Sequence, residues 1–351
     1  MERSILLYGA YGYTARLLIE EYAPDGAPLT LAGRDATKLA EVAAGRGFPQ
    51  RAFDLADERV IERELDGVGV VLNCAGPFAR TALPLARACI RRGVHYLDIT
   101  GEIEVFEALA ALDGPARAAN VMLMPGSGFD VVPTDCMAAH LRARLPEAQR
   151  LQLAFKGLSR VSRGTATTAI ENLDQGGMIR RDGELVRVPP AHRQRQVDLG
   201  SGPETVVTIP WGDVATAWHT TGIPNIETYT VVPPRLVPLM RSSRWFGWLL
   251  ASAPAQSLLK AWLQRQPAGP SSAQRARGGA VVWGEACDGA GRCVQSRLHT
   301  PNAYSLTGWS AWTLASRALA GHVEPGYQTP ARVHGADFIL ECDGVSRVDL
   351  D

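Results

Sequence analysis

The chain has 351 residues, 46% hydrophobic and 21% charged, with 36 basic side chains against 36 acidic ones. That length exceeds one ordinary core and predicts two domains, and the composition excludes a disordered chain. The even charge balance excludes a global attraction to nucleic acid or to an anionic membrane.

From the amino terminus, a strand-like run at 4–10 leads into a helix at 13–22 with Leu17, Leu18 and Tyr22 on one face, and then a short strand at 28–32. A helix at 36–44, a strand at 51–53, a helix at 57–65 and the apolar strand 68–74 follow. Next come helix 81–92, strand 95–99, helix 103–112 and strand 121–124. Apolar strands alternating with amphipathic helices predict β-α-β units and a Rossmann-type, doubly wound parallel sheet over residues 1–130. After Asp130 the pattern changes. A helix at 133–145 precedes strands at 151–155, 205–209, 227–232, 280–284 and 293–298, with irregular Arg-, Pro- and Gly-rich connections. This predicts a mixed α+β second domain over 131–320, serving substrate binding or dimerisation, and a segment 321–351 that packs back on the first domain. By composition 266–279 reads as a loop.

The stretch 245–263 holds Pro254, Gln256 and Lys260, and its apolar run is too short to span a bilayer. It reads as core, or as an amphipathic cover for a lipid-like substrate, a dimer interface or a membrane surface. Six cysteines (Cys74, Cys89, Cys136, Cys287, Cys293, Cys342) are scattered without C-x-x-C spacing. Neither a disulfide framework nor a zinc cluster is expected, and the seven histidines show no metal-ligand spacing, so no metal is expected. The start lacks the long apolar region and cleavage site of a signal peptide, and a cytoplasmic location is expected.

The chemistry concentrates in Y-G-A-Y-G-Y-T-A, residues 8–15. Gly9, Gly12 and Ala15 sit three apart between a predicted strand and a predicted helix, where a tight turn, close backbone approach to pyrophosphate and close helix packing are needed. About 20 residues on, where an NAD-preferring fold places an acid, this chain has Gly33 and Arg34, with Lys38 a turn later. An arginine there can grip a 2′-phosphate, which points to NADP(H); the alternative is that Arg34 and Lys38 are solvated charges at a helix start capped by Asp35. Asp54 falls where such folds touch the adenine edge, or is an ordinary loop acid. The run N-C-A-G-P-F ends the fourth strand and brings Ala75, Gly76, Pro77 and Phe78 to the nicotinamide side. The expected cradle is therefore Gly9, Ala10, Tyr11, Gly12, Tyr13 and Thr14, completed by those residues.

G-A-Y-G-Y-T-A, L-A-G-R-D-A-T-K-L, N-C-A-G-P-F, H-Y-L-D-I-T-G-E and P-G-S-G-F-D-V-V-P-T-D occur in one order, and P-G-Y-Q-T-P-A-R-V-H-G-A-D-F lies near the end. Together they resemble the saccharopine dehydrogenase-like oxidoreductases, particularly the branch of the trans-acting enoyl reductases. The resemblance is specific over 8–135 and loose from about 150 to 300. It departs at Tyr11, where many members have Thr, and at Ala15, where many have Gly. It implies an NADP(H)-binding Rossmann domain, a second α+β domain closing over it, and a dimer. Members reduce imines, enoyl thioesters or unknown compounds, so the substrate, free or carrier-bound, stays open.

A nicotinamide reductase needs positioning, a dry pocket and a proton source. Four candidates lie at predicted strand ends: Tyr96, Asp98, Glu102 and Asp130. Tyr96 and Asp98 share a strand face. Each has a structural alternative, Tyr96 as core and Glu102 and Asp130 as helix caps. The arginine-rich run 180–196 either attracts an anionic substrate or forms a solvated hairpin. No tyrosine is followed by lysine in the Tyr-x-x-x-Lys spacing of short-chain dehydrogenases. The expectation is an NADP(H)-dependent reductase of an activated C=C or C=N bond, and the competing one is a non-catalytic NADP(H) sensor.

Overall fold

The computed structural model describes residues 3–157, 176–238, 240–242, 256, 265 and 269–350. In chain order the first elements are β1 (Ser4–Tyr8), α1 (Tyr13–Glu21), β2 (Leu29–Gly33), α2 (Ala36–Ala43), β3 (Gln50–Ala52), α3 (Glu58–Glu64), β4 (Val68–Asn73) and α4 (Phe78–Arg92). Then come β5 (His95–Asp98), α5 (Ile103–Ala110), α6 (Asp113–Ala118), β6 (Met122–Met124), α7 (Val132–Arg144), β7 (Arg150–Lys156), β8 (Gly177–Arg181), β9 (Glu184–Val188), β10 (Gln194–Asp198) and β11 (Pro203–Thr208). The rest are α8 (Asp213–Thr221), β12 (Asn225–Val231), α9 (Ser272–Arg277), β13 (Gly279–Cys287), β14 (Cys293–Pro301), α10 (Ala303–Leu319), β15 (Gly326–Tyr327), α11 (Pro330–His334) and β16 (Ser346–Leu350), with short 3-10 turns at Pro234–Leu236 and Phe338–Glu341. Two compact units result, Met1–Val132 with Tyr304–Val333, and Pro133–Ala303 with His334–Asp351.

The first unit is a parallel sheet in the order β15-β6-β5-β4-β1-β2-β3, with helices between successive strands. Its central strands are apolar throughout because helices cover both faces: Leu6, Leu7, Val70, Val71 and Leu72 are all fully buried. Asp35 caps α2 by accepting the Lys38 N–H, and Asp57 caps α3. α4 closes on Gly93 in the left-handed region at φ 64°, where a glycine carries no Cβ penalty. The strand ends of β1, β4 and β5 meet the crevice that a doubly wound sheet leaves at its carboxyl edge.

The second unit is a mixed sheet in the order β10-β11-β12-β7-β13-β14-β16, parallel only between β12 and β7, with β8 and β9 attached as a hairpin to β12. One face takes α7, whose Met137 and Leu141 lie against Gly284; a Cβ there would come within 2.6 Å of Leu141. The other carries Ala154, Tyr229 and Trp283, packed with Val197, Leu199 and Val206.

Several sequence expectations change. The segment 321–351 divides: β15 joins the first sheet beside β6, while β16 pairs with β14 in the second. α10, expected within 131–320, belongs to the first unit, where Tyr22 lies against Gly308 and the Tyr13 and Tyr304 rings meet edge to face at 5.2 Å. The expected loop at 266–279 contains α9, opened by a capping box in which Ser271 accepts the Gln274 N–H and Gln274 answers to the Ser271 N–H. Cys287 and Cys293, expected free, form a disulfide, because the β13–β14 register sets their Cα atoms opposite one another, 4.2 Å apart. The helix expected at 81–92 begins earlier, at Phe78, for a reason given below.

No helix among the described residues is long and apolar enough to cross a membrane. The stretch 245–263, Gln256 apart, lies outside the described residues.

Candidate cofactor site

The turn after β1 is built from backbone. Gly9 has φ +84°, and a Cβ on it would lie 2.8 Å from the Ala75 N and Cβ, so this position needs glycine for both its conformation and its contact with the loop after β4. The Gly9 and Ala10 N–H groups donate to the Ala32 carbonyl at 2.8 and 3.1 Å, and Gly12 N–H donates back to Gly9 at 2.9 Å. Gly12 is the N-cap of α1, and no side chain caps the helix. Thr14 and its neighbours therefore lie in a first turn without a side-chain acceptor, at the carboxyl edge of the sheet, where an anion is favoured.

The second corner gathers around Gly33. The Tyr11 ring rests on it so closely that a Cβ would come within 2.7 Å of the ring edge. Lys38 places its ammonium 5.7 Å from the Tyr11 ring centre and pairs with Asp35 at 3.1 Å. Arg34, next in the chain, is exposed and makes no ion pair among the described residues. Burial pushes the Tyr8 hydroxyl up to about 12, opposed by the nearby Arg34 guanidinium and assisted by Asp54. Arg34 and Asp54 thus act on one spot at the ends of β2 and β3. Asp54 itself is exposed and accepts the Ala56 N–H at 3.0 Å.

The third corner is a continuous hydrogen-bond chain across the ends of β4, β5 and β6. Asn73, fully buried, accepts the Ala75 N–H at 3.0 Å and donates to Thr81 Oγ1 at 3.0 Å and to Tyr96 Oη at 3.2 Å. Thr81 Oγ1 donates to the Ala75 carbonyl at 2.7 Å, so the Ala75–Gly76–Pro77 turn is pinned from both sides. Tyr96 donates to Asp98 Oδ2 at 2.8 Å, and Asp98 Oδ1 accepts the Thr100 and Gly126 N–H groups, each at 3.0 Å. Thr100 Oγ1 accepts the Glu102 N–H at 3.0 Å. Glu102 then gives its two oxygens to the N–H groups of Phe78 and Ala79, at 2.9 and 2.8 Å. That distant carboxylate caps α4 and explains its early start.

Of the sequence-named catalytic residues, Tyr96 and Asp98 are fully buried and bonded to one another. Burial lifts the Asp98 carboxyl to about 6, against the backbone N–H groups that pull it down, and burial raises the Tyr96 hydroxyl well above its usual value, with Asp98 adding to the rise. Asp130 is half-buried beside Gly101, with its carboxyl lifted to about 6 by burial. Phe78 gives its N–H to Glu102, and its side chain, partly buried, packs against the core of the first unit. Sequence reasoning missed Asn73, Thr81 and Thr100 as brace residues; the Thr-x-Glu and Asn-x-Ala spacings carry no signal until the strand ends are adjacent. It missed Thr307 and Ser310 on α10 as well, which bond the Phe129 N–H at 2.9 Å and the Ser127 carbonyl at 2.8 Å.

Residues 5–124 match the family model described as Saccharopine dehydrogenase NADP binding domain. Over those residues the first unit is similar to that NADP-binding domain. A trans-acting enoyl reductase from Mycobacterium leprae is 34% identical over 154 residues, 42% of this chain and 37% of that protein. A saccharopine dehydrogenase-like oxidoreductase from Homo sapiens is 30% identical over 162 residues, 40% of this chain and 38% of that protein. The match thus spans under two fifths of either relative's own length. Among solved structures, apo saccharopine dehydrogenase (L-Glu forming) from Saccharomyces cerevisiae aligns over 99% of this chain and 100% of its own, with a TM-score of 0.69 and 12% identity. That likeness shows the fold alone, a Rossmann-like unit and a mixed-sheet unit.

The residues present fit the dinucleotide. A side-chain-free turn, an uncapped helix start and, after β2, a guanidinium without an ion pair among the described residues are the donors that a pyrophosphate and a 2′-phosphate require.

Proposed function

We propose that the chain is an NADPH-dependent reductase of an activated C=C bond, as in an enoyl thioester, or of a C=N bond, on a free or carrier-bound substrate. The observation that carries the NADP preference is the exposed Arg34 guanidinium with no ion pair among the described residues, beside Gly33 where an acid would favour NAD. In this reading Gly9, Ala10, Tyr11, Gly12, Tyr13 and Thr14 hold the pyrophosphate, Arg34 and Lys38 the 2′-phosphate, and Asp54 lies at the adenine edge. Ala75, Gly76, Pro77 and Phe78 wall the nicotinamide side. When bound, the cofactor supplies a hydride.

The remaining residues divide into holders and a proton source. Asn73, Tyr96, Asp98 and Glu102 keep the loops after β4, β5 and β6 in fixed register, which is how a site gains the precision that hydride transfer demands. Asp130 is the candidate proton donor: it is partly open, and a carboxyl lifted to about 6 lies near the pH at which a general acid works best. A homodimer and a cytoplasmic location belong to the same reading, and light scattering on the purified chain tests the first.

The test is NADPH oxidation against enoyl thioesters, imines and keto acids. Turnover on one class supports the reductase, and Asp130→Asn then lowers kcat by roughly 10² to 10⁴ while NADPH affinity holds. The second reading, an NADP(H) sensor, draws on the engagement of Tyr96, Asp98 and Glu102 in internal hydrogen bonds. Intact NADPH binding with no turnover on any class would favour it.

A further inference from the structure

The arginine-rich run 180–196 belongs to the second unit. It forms the end of β8, the strand β9 and the start of β10, so it is a hairpin plus an edge strand. Arg180, Arg181 and Arg193 of this run, with residues of β7 and β12, line a cavity of about 350 Å3 within the second unit.

The acids in that cavity are already answered. Glu227, 8% exposed, accepts from the Tyr229 hydroxyl and from Gln152 Nε2 at 3.2 Å, and pairs with Arg193 at 3.1 Å. Glu285 pairs with Arg195 at 2.9 Å and accepts from Gln295 Nε2 at 2.7 Å. Two guanidiniums are left over. Arg150 and Arg181 both line the cavity, and neither makes an ion pair among the described residues.

Their spacing is set by the sheet. Arg150 is the register partner of Asn225 on one side of β12, and Arg180 is the partner of Ile226 on the other, so Arg150 and Arg181 flank β12 from opposite sides. Two strand spacings put their backbones roughly 10 Å apart, and both side chains are long enough to converge on one solute. Asn225 locks the arrangement: its Nδ2 donates to the Gln149 carbonyl and its Oδ1 accepts the Asp182 N–H, each at 3.1 Å. Arg180 fixes the hairpin from below by donating to the Val214 carbonyl at 2.7 Å and to the Gly183 carbonyl, with its guanidinium over the Trp218 ring.

We propose that this cavity binds a small polyanion, a di- or tricarboxylate or a phosphorylated small molecule, gripped between Arg150 and Arg181. The forked guanidinium matches both oxyanion chemistries in bidentate geometry. With those acids neutralised, Arg150 and Arg181, which make no ion pair among the described residues, set the sign of the site. This site is built from the second unit's own residues.

Citrate and inorganic phosphate, as carboxylate and phosphate probes, are titrated calorimetrically into the 351-residue chain at low ionic strength. Saturable binding is expected, at least tenfold weaker in Arg150→Gln/Arg181→Gln. Both arginines are exposed, so an unaltered circular dichroism spectrum is expected for the double variant. The milder Arg150→Lys/Arg181→Lys keeps the charge without the fork and loses less affinity than the glutamine pair. Uptake that does not saturate, or binding undiminished in both double variants, would overturn the site. Which anion binds more tightly separates carboxylate from phosphate ligands.

Discussion

At the scale of single residues, Gly9 serves two purposes that the sequence spacing shows as one. The three-apart pattern was legible because turn, strand end and helix start are local. The contact with Ala75 was not, since it joins residues far apart in the chain. Gly9→Ala would force a non-glycine residue to φ +84° and drive a methyl into the Ala75 backbone, a cost of about 2 to 4 kcal/mol, and is expected to lower the melting temperature and abolish NADPH binding together. Asp98 makes a pH prediction. Its folded value, about 6, lies above its ordinary 3.8, so the folded protein holds a proton that the unfolded chain has released. The stability this contributes is complete below pH 3.8, falls as pH rises to about 6 and is absent above it, a change of about 3 kcal/mol. Asp130 titrates in the same direction over the same window. Denaturant unfolding at pH 4 and pH 7 should show Asp98→Asn flattening this slope in part; an unchanged slope would remove Asp98 from the account.

Among the elements, the strands and helices of the first unit were readable because each carries its own period and its own cap. What escaped were features set by partners elsewhere. α4 begins at Phe78 because Glu102, on the next β-α connection, caps it. Glu102→Gln keeps the shape but removes the charge facing the helix start, and should cost about 1 kcal/mol and loosen the turn at Gly76. Amide exchange at Phe78 and Ala79 reports it directly, and unchanged protection there would contradict the cap. α9 was missed for the opposite reason: its capping box, Ser271 with Gln274, stands in the sequence, but surrounding Gly, Pro and Ser masked it. The Cys287–Cys293 bond was hidden because spacing alone does not reveal a hairpin register.

For the whole molecule, the chain leaves the first unit at Val132 and returns to it at Tyr304 before leaving again at Val333. A reading in sequence order divides such a chain into consecutive blocks, so α10 was expected in the second domain, while β15 lies in the segment expected to pack back on the first. Their side chains show why they return: Thr307 fills the space a Gly128 Cβ would occupy, and β15 extends the parallel sheet beside β6. A chain ending at residue 303 would lose both and is expected to lose NADPH binding with its cooperative melting, even though every nucleotide-cradle residue remains. Retained binding in that truncation would show that the return segment is not needed to form the cradle.

The central claim is that Arg34 makes this an NADP(H) site, and the most direct test is calorimetric titration of the wild type and Arg34→Ala with NADPH and NADH. The account predicts tighter binding of NADPH than NADH by the wild type, and loss of most of that preference in the variant with NADH affinity little changed. Equal affinities for the two cofactors in the wild type, or a preference that survives in Arg34→Ala, would contradict it.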